Sequence, residues 1–107
     1  MTNVAEHLWH LGIGRRYKGY RAITLAVELC IENKERLQCA QKYLFKPIAE
    51  RLGCKSHNVE CNIRTAIARA WHNNPNYLSF LAGVPLDQPP TVIRFLDILV
   101  TFVLRRL

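Results

Sequence analysis

Apolar residues recur three and four positions apart through most of the chain, and no stretch alternates apolar with polar residues convincingly. The pattern predicts an all-α fold. Val4, Leu8 and Leu11 mark a first helix over residues 4–11, with Asn3 as its cap and Gly12 as its stop. After the basic loop "GIGRRYKG", the run "YRAITLAVELCIEN" places Ile23, Val27 and Cys30 or Ile31 on one face of a second helix. "KERLQCAQ" reads as a shorter helix or helical turn, and "KPIAERLG" as a helix opened by Pro47 and closed by Gly53. Ser56 is the expected cap of the next helix, on which Val59, Ile63, Ala66, Ile67 and Ala70 form a stripe that must be buried. "NNPN" ends that helix at Asn73, "YLSFLAG" forms a short one, "VPLDQPP" is a turn-rich connector, and residues 91–106 form the last. No repeat or linker divides the chain, so residues 1–107 are expected to be one domain of about six helices, with Trp9 and Trp71 in its core.

The stretch "IAERLGCKSHNVECNIRTAIARAW", residues 48–71, changes its rhythm once, at the glycine. Two short helices joined by three or four residues, with a small residue in the first and glycine at the turn, have the shape of a helix-turn-helix. Ala49 would let the helices cross closely, Gly53 would take the left-handed turn, and Val59 with Ile63 would pin the second helix to the first. The second helix then keeps one free face, carrying Lys55, Ser56, His57, Asn58, Glu60, Cys61, Arg64 and Thr65, with Ala68 and His72 further along. The major groove of B-DNA, about 12 Å wide, admits one such helix, its N-terminal residues reaching base edges. Lys55 and Arg64 would offer phosphate or guanine contacts, Glu60 would accept from cytosine N4, and Ser56 would cap or touch phosphate. An ordinary solvated surface helix would look much the same.

Composition supports a polyanionic partner. Half of the 107 residues are apolar, which argues against disorder, and 15 Lys and Arg against 8 Asp and Glu leave a formal charge of +7. Arg15, Arg16, Lys18 and Arg21, interleaved with Tyr17 and Tyr20 in "RRYKGYR", add electrostatic support as cations near duplex phosphates. The same interleaving would suit stacking of single-stranded bases, but that mode more often uses sheets or loops than a helix-turn-helix. Cys30, Cys39, Cys54 and Cys61 form no CxxC pair, and the start of the chain lacks a secretory pattern, so free thiols in a reducing cytoplasm are expected. No membrane span is expected, because "TVIRFLDILVTFVLRRL" is short of about 20 residues and broken by Arg94 and Asp97.

Other chemistry finds little support. Cys54, His57 and Cys61 have zinc-compatible spacing, with Cys30, Cys39 or His72 as a fourth ligand, but nothing nearby in sequence completes a closed site. "GIG" at residues 12–14 is neither a phosphate loop nor a dinucleotide fingerprint, and a convex helix offers Glu60, His57 and Cys61 no pocket for catalysis. No enzyme, metal or cofactor is expected. On the last helix, Arg94, Asp97, Thr101 and Arg105 make a narrow polar strip, and apolar residues cover most of the circumference. That excess predicts a homodimer through this helix.

"LGIGRRYKGYRAITLAVEL", then "YLFKPIAERLGCKSHNVECNIRTAIARAW" and "LSFLAG" resemble the C-terminal DNA-binding domains of the sporulation transcription factor stage zero sporulation protein A. The resemblance covers about residues 8–83; its most specific pieces are Lys18-Gly19-Tyr20, Ile48-Ala49, Val59-Glu60, Ile63-Arg64, Ala66-Ile67 and Ala70-Trp71. It implies a six-helix effector domain that binds promoter DNA as tandem or dimeric copies and touches the transcription machinery, RNA polymerase included. In that family the domain follows a receiver domain. None lies within these 107 residues, and with Met1 at the start the expectation is a chain not switched by aspartyl phosphorylation in its own polypeptide. The family places arginine at the positions of Asn58 and Cys61 and histidine at that of Thr65, whereas Glu60 and Arg64 agree. The reading is therefore sequence-specific duplex DNA binding in bacterial transcriptional regulation, through a recognition helix at about residues 56–72. Its rival is an interaction or antagonist module that keeps the fold and has lost specific DNA binding.

Overall fold

The helical period is realised in six α-helices, which a computed structural model of the chain describes within residues 4–106. They are α1 (Val4–His10), α2 (Lys18–Glu32), α3 (Lys46–Leu52), α4 (Ser56–Asn73), α5 (Pro75–Ala82) and α6 (Val92–Arg105), and no strand occurs among the described residues. Asn3, the expected cap of α1, lies outside them. The basic loop is shorter than "GIGRRYKG" predicts, because Tyr17 is the N-cap of α2 and Lys18 its first helical residue. Ser56 likewise is not a cap: Lys55 occupies that position in extended conformation and Ser56 begins the helix.

Between α2 and α3 the chain winds first tightly and then loosely. Lys34–Cys39 form a 3-10 helix whose start is capped by Asn33, its side-chain oxygen accepting from the Glu35 amide at 3.1 Å. Gln41–Phe45 form a π-helical turn that runs into α3, with the Lys46 amide donating to the Gln41 carbonyl. Pro47 accounts for the widening, since it lacks an N–H and its ring would crowd the carbonyl four residues earlier in a regular helix. The wider turn also keeps the consecutive Leu44 and Phe45 buried.

One core cluster draws on all six helices. Leu8, Ile23, Val27, Leu44, Val59, Ile63, Leu78, Phe95, Leu96 and Leu99 are wholly buried, and so is the rest of the expected α4 stripe, or nearly so. The most extensive helix–helix packing is between α2 and α4. It depends on Gly19: a Cβ there would stand 2.6 Å from the Asn62 carbonyl oxygen and 2.9 Å from Ala66 Cβ. No larger residue allows this approach without movement of backbone.

Two expectations about the core are corrected. Trp9 is 72% exposed, because α1 buries only Val4 and Leu8, one turn apart, and the next residue round the helix points away from them. Trp71 is half-buried against the cluster. Most of the apolar excess of α6 is also taken up by the core: Val92, Phe95, Leu96, Ile98, Leu99, Val100 and Val103 are buried within the chain itself, while Ile93, Phe102 and Leu104 stay partly exposed. The helix packs on α2, α4, α5 and the 3-10 segment, which together enclose most of its circumference. No described helix is long and apolar enough to cross a membrane.

Candidate nucleic-acid interface

Three residues join α3 to α4, and each has a local reason. Gly53 adopts the left-handed conformation at φ 71° that a side chain would strain, and its amide and that of Cys54 both donate to the Ala49 carbonyl, closing the end of α3. Lys55 is extended, turning the chain into α4. Ile48 and Ala49 on α3 face inward, as do Val59 and Ile63 on α4, so the second helix is seated by its apolar stripe. The opposite half remains outside.

Lys55, His57, Asn58, Arg64 and Thr65 are exposed, while Ser56, Glu60 and Cys61 are half-buried. No side chain caps the first turn of α4, which leaves amide donors at the end where the helix dipole is positive. Two internal contacts organise this surface. The Arg64 guanidinium donates to Glu60 Oε2 at 2.9 Å, an ion pair one turn long, and Cys61 Sγ lies 3.4 Å from His57 Nε2. The first pair holds the two residues expected to read bases against each other when no ligand is present.

Arg15, Arg16, Lys18 and Arg21 are all exposed, and the loop that bears the first two is fastened to α4 by a residue that the sequence reading passed over. Arg69 donates through Nε to the Gly12 carbonyl at 2.9 Å, and its guanidinium lies 4.2 Å from the Tyr17 ring centroid. One face of Tyr17 is thereby occupied, and Tyr20 packs against the core, so neither tyrosine presents the open stacking platform that a single strand would require. Local pattern marks Arg69 only as a polar position on α4. Its acceptor is 57 residues away, and no spacing rule reaches that far.

The other flank of the exposed face of α4 is bounded by the connector before α6. Phe45, Pro89, Pro90, Thr91, Val92 and Ile93 line a shallow groove of about 350 Å³ with Glu60 and Arg64. A larger open groove of about 650 Å³ runs between the 3-10 segment and α6, lined among others by Lys34, Glu35, Ile93, Arg94 and Asp97. The zinc arrangement does not assemble: among the described residues no group of three or more His, Cys, Asp or Glu side chains converges on a point. All four cysteines are free, and burial pushes the Cys30 thiol up to about 11.

A protein-family profile for the C-terminal region of the sporulation initiation factor Spo0A matches residues 4–103. The chain belongs to the Spo0A C-terminal family. That family is one of DNA-binding transcription-factor domains and not of enzymes. Its match spans α1 through nearly all of α6, so the family relation includes the connector and last helix, beyond the resemblance over about residues 8–83. In this Spo0A C-terminal domain Asn58 and Cys61 lie outside the packed stripe of α4.

Proposed function

We propose that α3 and α4 form a helix-turn-helix through which residues 1–107, as one domain, bind double-stranded DNA sequence-specifically, with α4 in the major groove. The role is bacterial, cytoplasmic transcriptional regulation. The observation that carries it is the division of α4 into two halves: Val59, Ile63, Ala66, Ile67 and Ala70 are buried, and the opposite face begins with Lys55, His57, Asn58, Arg64 and Thr65. Arg64 and Glu60 read base edges, for which their ion pair must open or rotate; Lys55 and the uncapped amides meet phosphate. Ser56 and Asn58 contact the groove from the margins, His57, Cys61 and Thr65 from the centre. Arg15, Arg16, Lys18 and Arg21 supply sequence-independent attraction.

The partners of this reading are duplex DNA, a second copy of the chain and RNA polymerase; it uses no metal or cofactor. Pairing through α6 alone has little surface to work with, since Ile93 and Leu104 are only 38% and 37% exposed. Copies therefore pair when DNA holds them side by side.

The rival antagonist reading is favoured by one feature: Asn58 and Cys61 stand where the resemblance places arginines, and a good bidentate arginine contact contributes about 1–3 kcal/mol of discrimination. Selection of bound sequences from a random duplex pool, followed by binding isotherms at several salt concentrations, separates the two. A DNA-binding domain enriches a motif and loses affinity linearly in log salt, and Lys55→Ala or Arg64→Ala lowers that slope by about one where the residue meets phosphate. No enrichment and no duplex binding at low salt would leave the antagonist.

A further inference from the structure

At about 100° per residue, Asn58, Asn62, Arg69 and Asn73 fall along one side strip of α4, between its buried stripe and its free face. The chain from Gly12 to Gly19 runs along that strip. Gly12 lies against the Asn73 side chain, Tyr17 under the Arg69 guanidinium, and Gly19 against the Asn62 carbonyl and Ala66. Buried Leu11 and Ile13 anchor one end of the segment and the packing of α2 on α4 the other. Between them Arg15 and Arg16 project outward, and the tie from this stretch to α4 is Arg69, hydrogen-bonded to Gly12 and stacked on Tyr17.

We infer that Arg69 is a positioning residue for DNA binding. It fixes the loop against the flank of α4, so that Arg15, Arg16 and Lys18 stand where the phosphate strand bordering the groove would pass. The inference rests on the proposed duplex-binding reading. A helix about 10–12 Å in diameter fills a groove about 12 Å wide, so whatever is packed beside the helix meets the backbone at the groove's edge. A loop held in that place contributes its cations without first losing the freedom of an unfastened chain. The geometry of the tie suits arginine, because its planar guanidinium stacks on the ring while its Nε donates in the same plane; a lysine ammonium has no plane to stack and holds the ring less specifically.

Arg69 is itself a cation on the surface, so the test must separate positioning from direct phosphate contact. Duplex affinity is measured against salt for the wild type, Arg69→Met, Arg69→Lys, Tyr17→Leu and the pair Arg15→Ala with Arg16→Ala, and for Arg69→Met combined with that pair. Trypsin cleavage after Arg15 and Arg16 is followed in the free proteins. Positioning predicts that Arg69→Met lowers the log-salt slope by about two, more than its one charge accounts for, and that Tyr17→Leu lowers it while removing no charge. It also predicts incomplete rescue by Arg69→Lys, little further loss on adding Arg69→Met to the arginine pair, and faster trypsin cleavage in Arg69→Met and Tyr17→Leu at unchanged thermal midpoints. With the wild type binding duplex, an unchanged slope in Tyr17→Leu, full additivity of Arg69→Met with the arginine pair, or unaltered cleavage overturns the inference. A wild type that binds no duplex at low salt removes the underlying reading instead, and the cleavage rates still decide whether the tie holds the loop.

Discussion

His7 shows how little of a residue's environment is written beside it. Its Nδ1 lies 2.8 Å from the Tyr77 hydroxyl, and its ring meets Phe102 edge-on at 4.9 Å, both partners coming from the far end of the chain. Burial is the main cause that lowers its pKa from the usual 6.5; Glu6 opposes the shift, and His10 and Arg106 add to it. The folded state therefore binds this proton less readily than the unfolded chain does. Stability from the neutral ring is complete above 6.5 and is lost as pH falls from there through the lowered folded value. The thermal midpoint should thus drop on acidification from about pH 7 to about pH 5, and His7→Gln should flatten that drop. Equal pH dependence in the two proteins would show that the histidine's burial does not matter to folding. Trp9 is the opposite case, a large ring that a short helix leaves outside because only Val4 and Leu8 share its inward face.

Among the elements, the α2–α4 crossing is the contact on which the reading face depends, and Gly19 is where it is closest. Gly19→Ala gains helix propensity of about 1 kcal/mol, but its Cβ meets backbone oxygen at 2.6 Å, which cannot rotate aside. The helices must part, and overpacking of this kind costs about 1–3 kcal/mol. The expected result is a lower urea midpoint with the slope preserved, together with weaker duplex binding as α4 shifts; a midpoint at or above that of the wild type would place the crossing's tolerance elsewhere. The six helices and the buried stripe of α4 were legible because apolar period and glycine stops are local signals. The 3-10 and π-helical windings were not, since they answer to Pro47 and to the burial of neighbouring Leu44 and Phe45. On the candidate face, the exposure of Lys55, His57, Asn58, Arg64 and Thr65 followed from the same period. The Glu60–Arg64 pair has the one-turn spacing that a helix makes close, whereas the tie at Arg69 joins parts of the chain that only the fold brings together.

For the whole molecule, charge and apolar surface argue about association in opposite directions from the bare sequence. The amphipathic last helix promises a dimer, but the core takes seven of its apolar residues, and Ile93 and Leu104, the two most exposed, lie eleven positions apart, about 16 Å along the helix. A stable interface needs about 800 Å² from each partner, more than Ile93, Leu104, half-buried Phe102 and the neighbouring Phe80 supply as scattered side chains. Each copy also carries a net charge of +7, so two free copies repel, and phosphate is what removes that repulsion. The free protein should therefore sediment at its monomer mass of 12.4 kDa at tens of micromolar, with or without added salt. On a duplex bearing two adjacent sites it should bind as a pair, more tightly than to either site alone. A species of twice the monomer mass at low micromolar concentration without DNA would mean that α6 presents more surface in solution than its packing here leaves free.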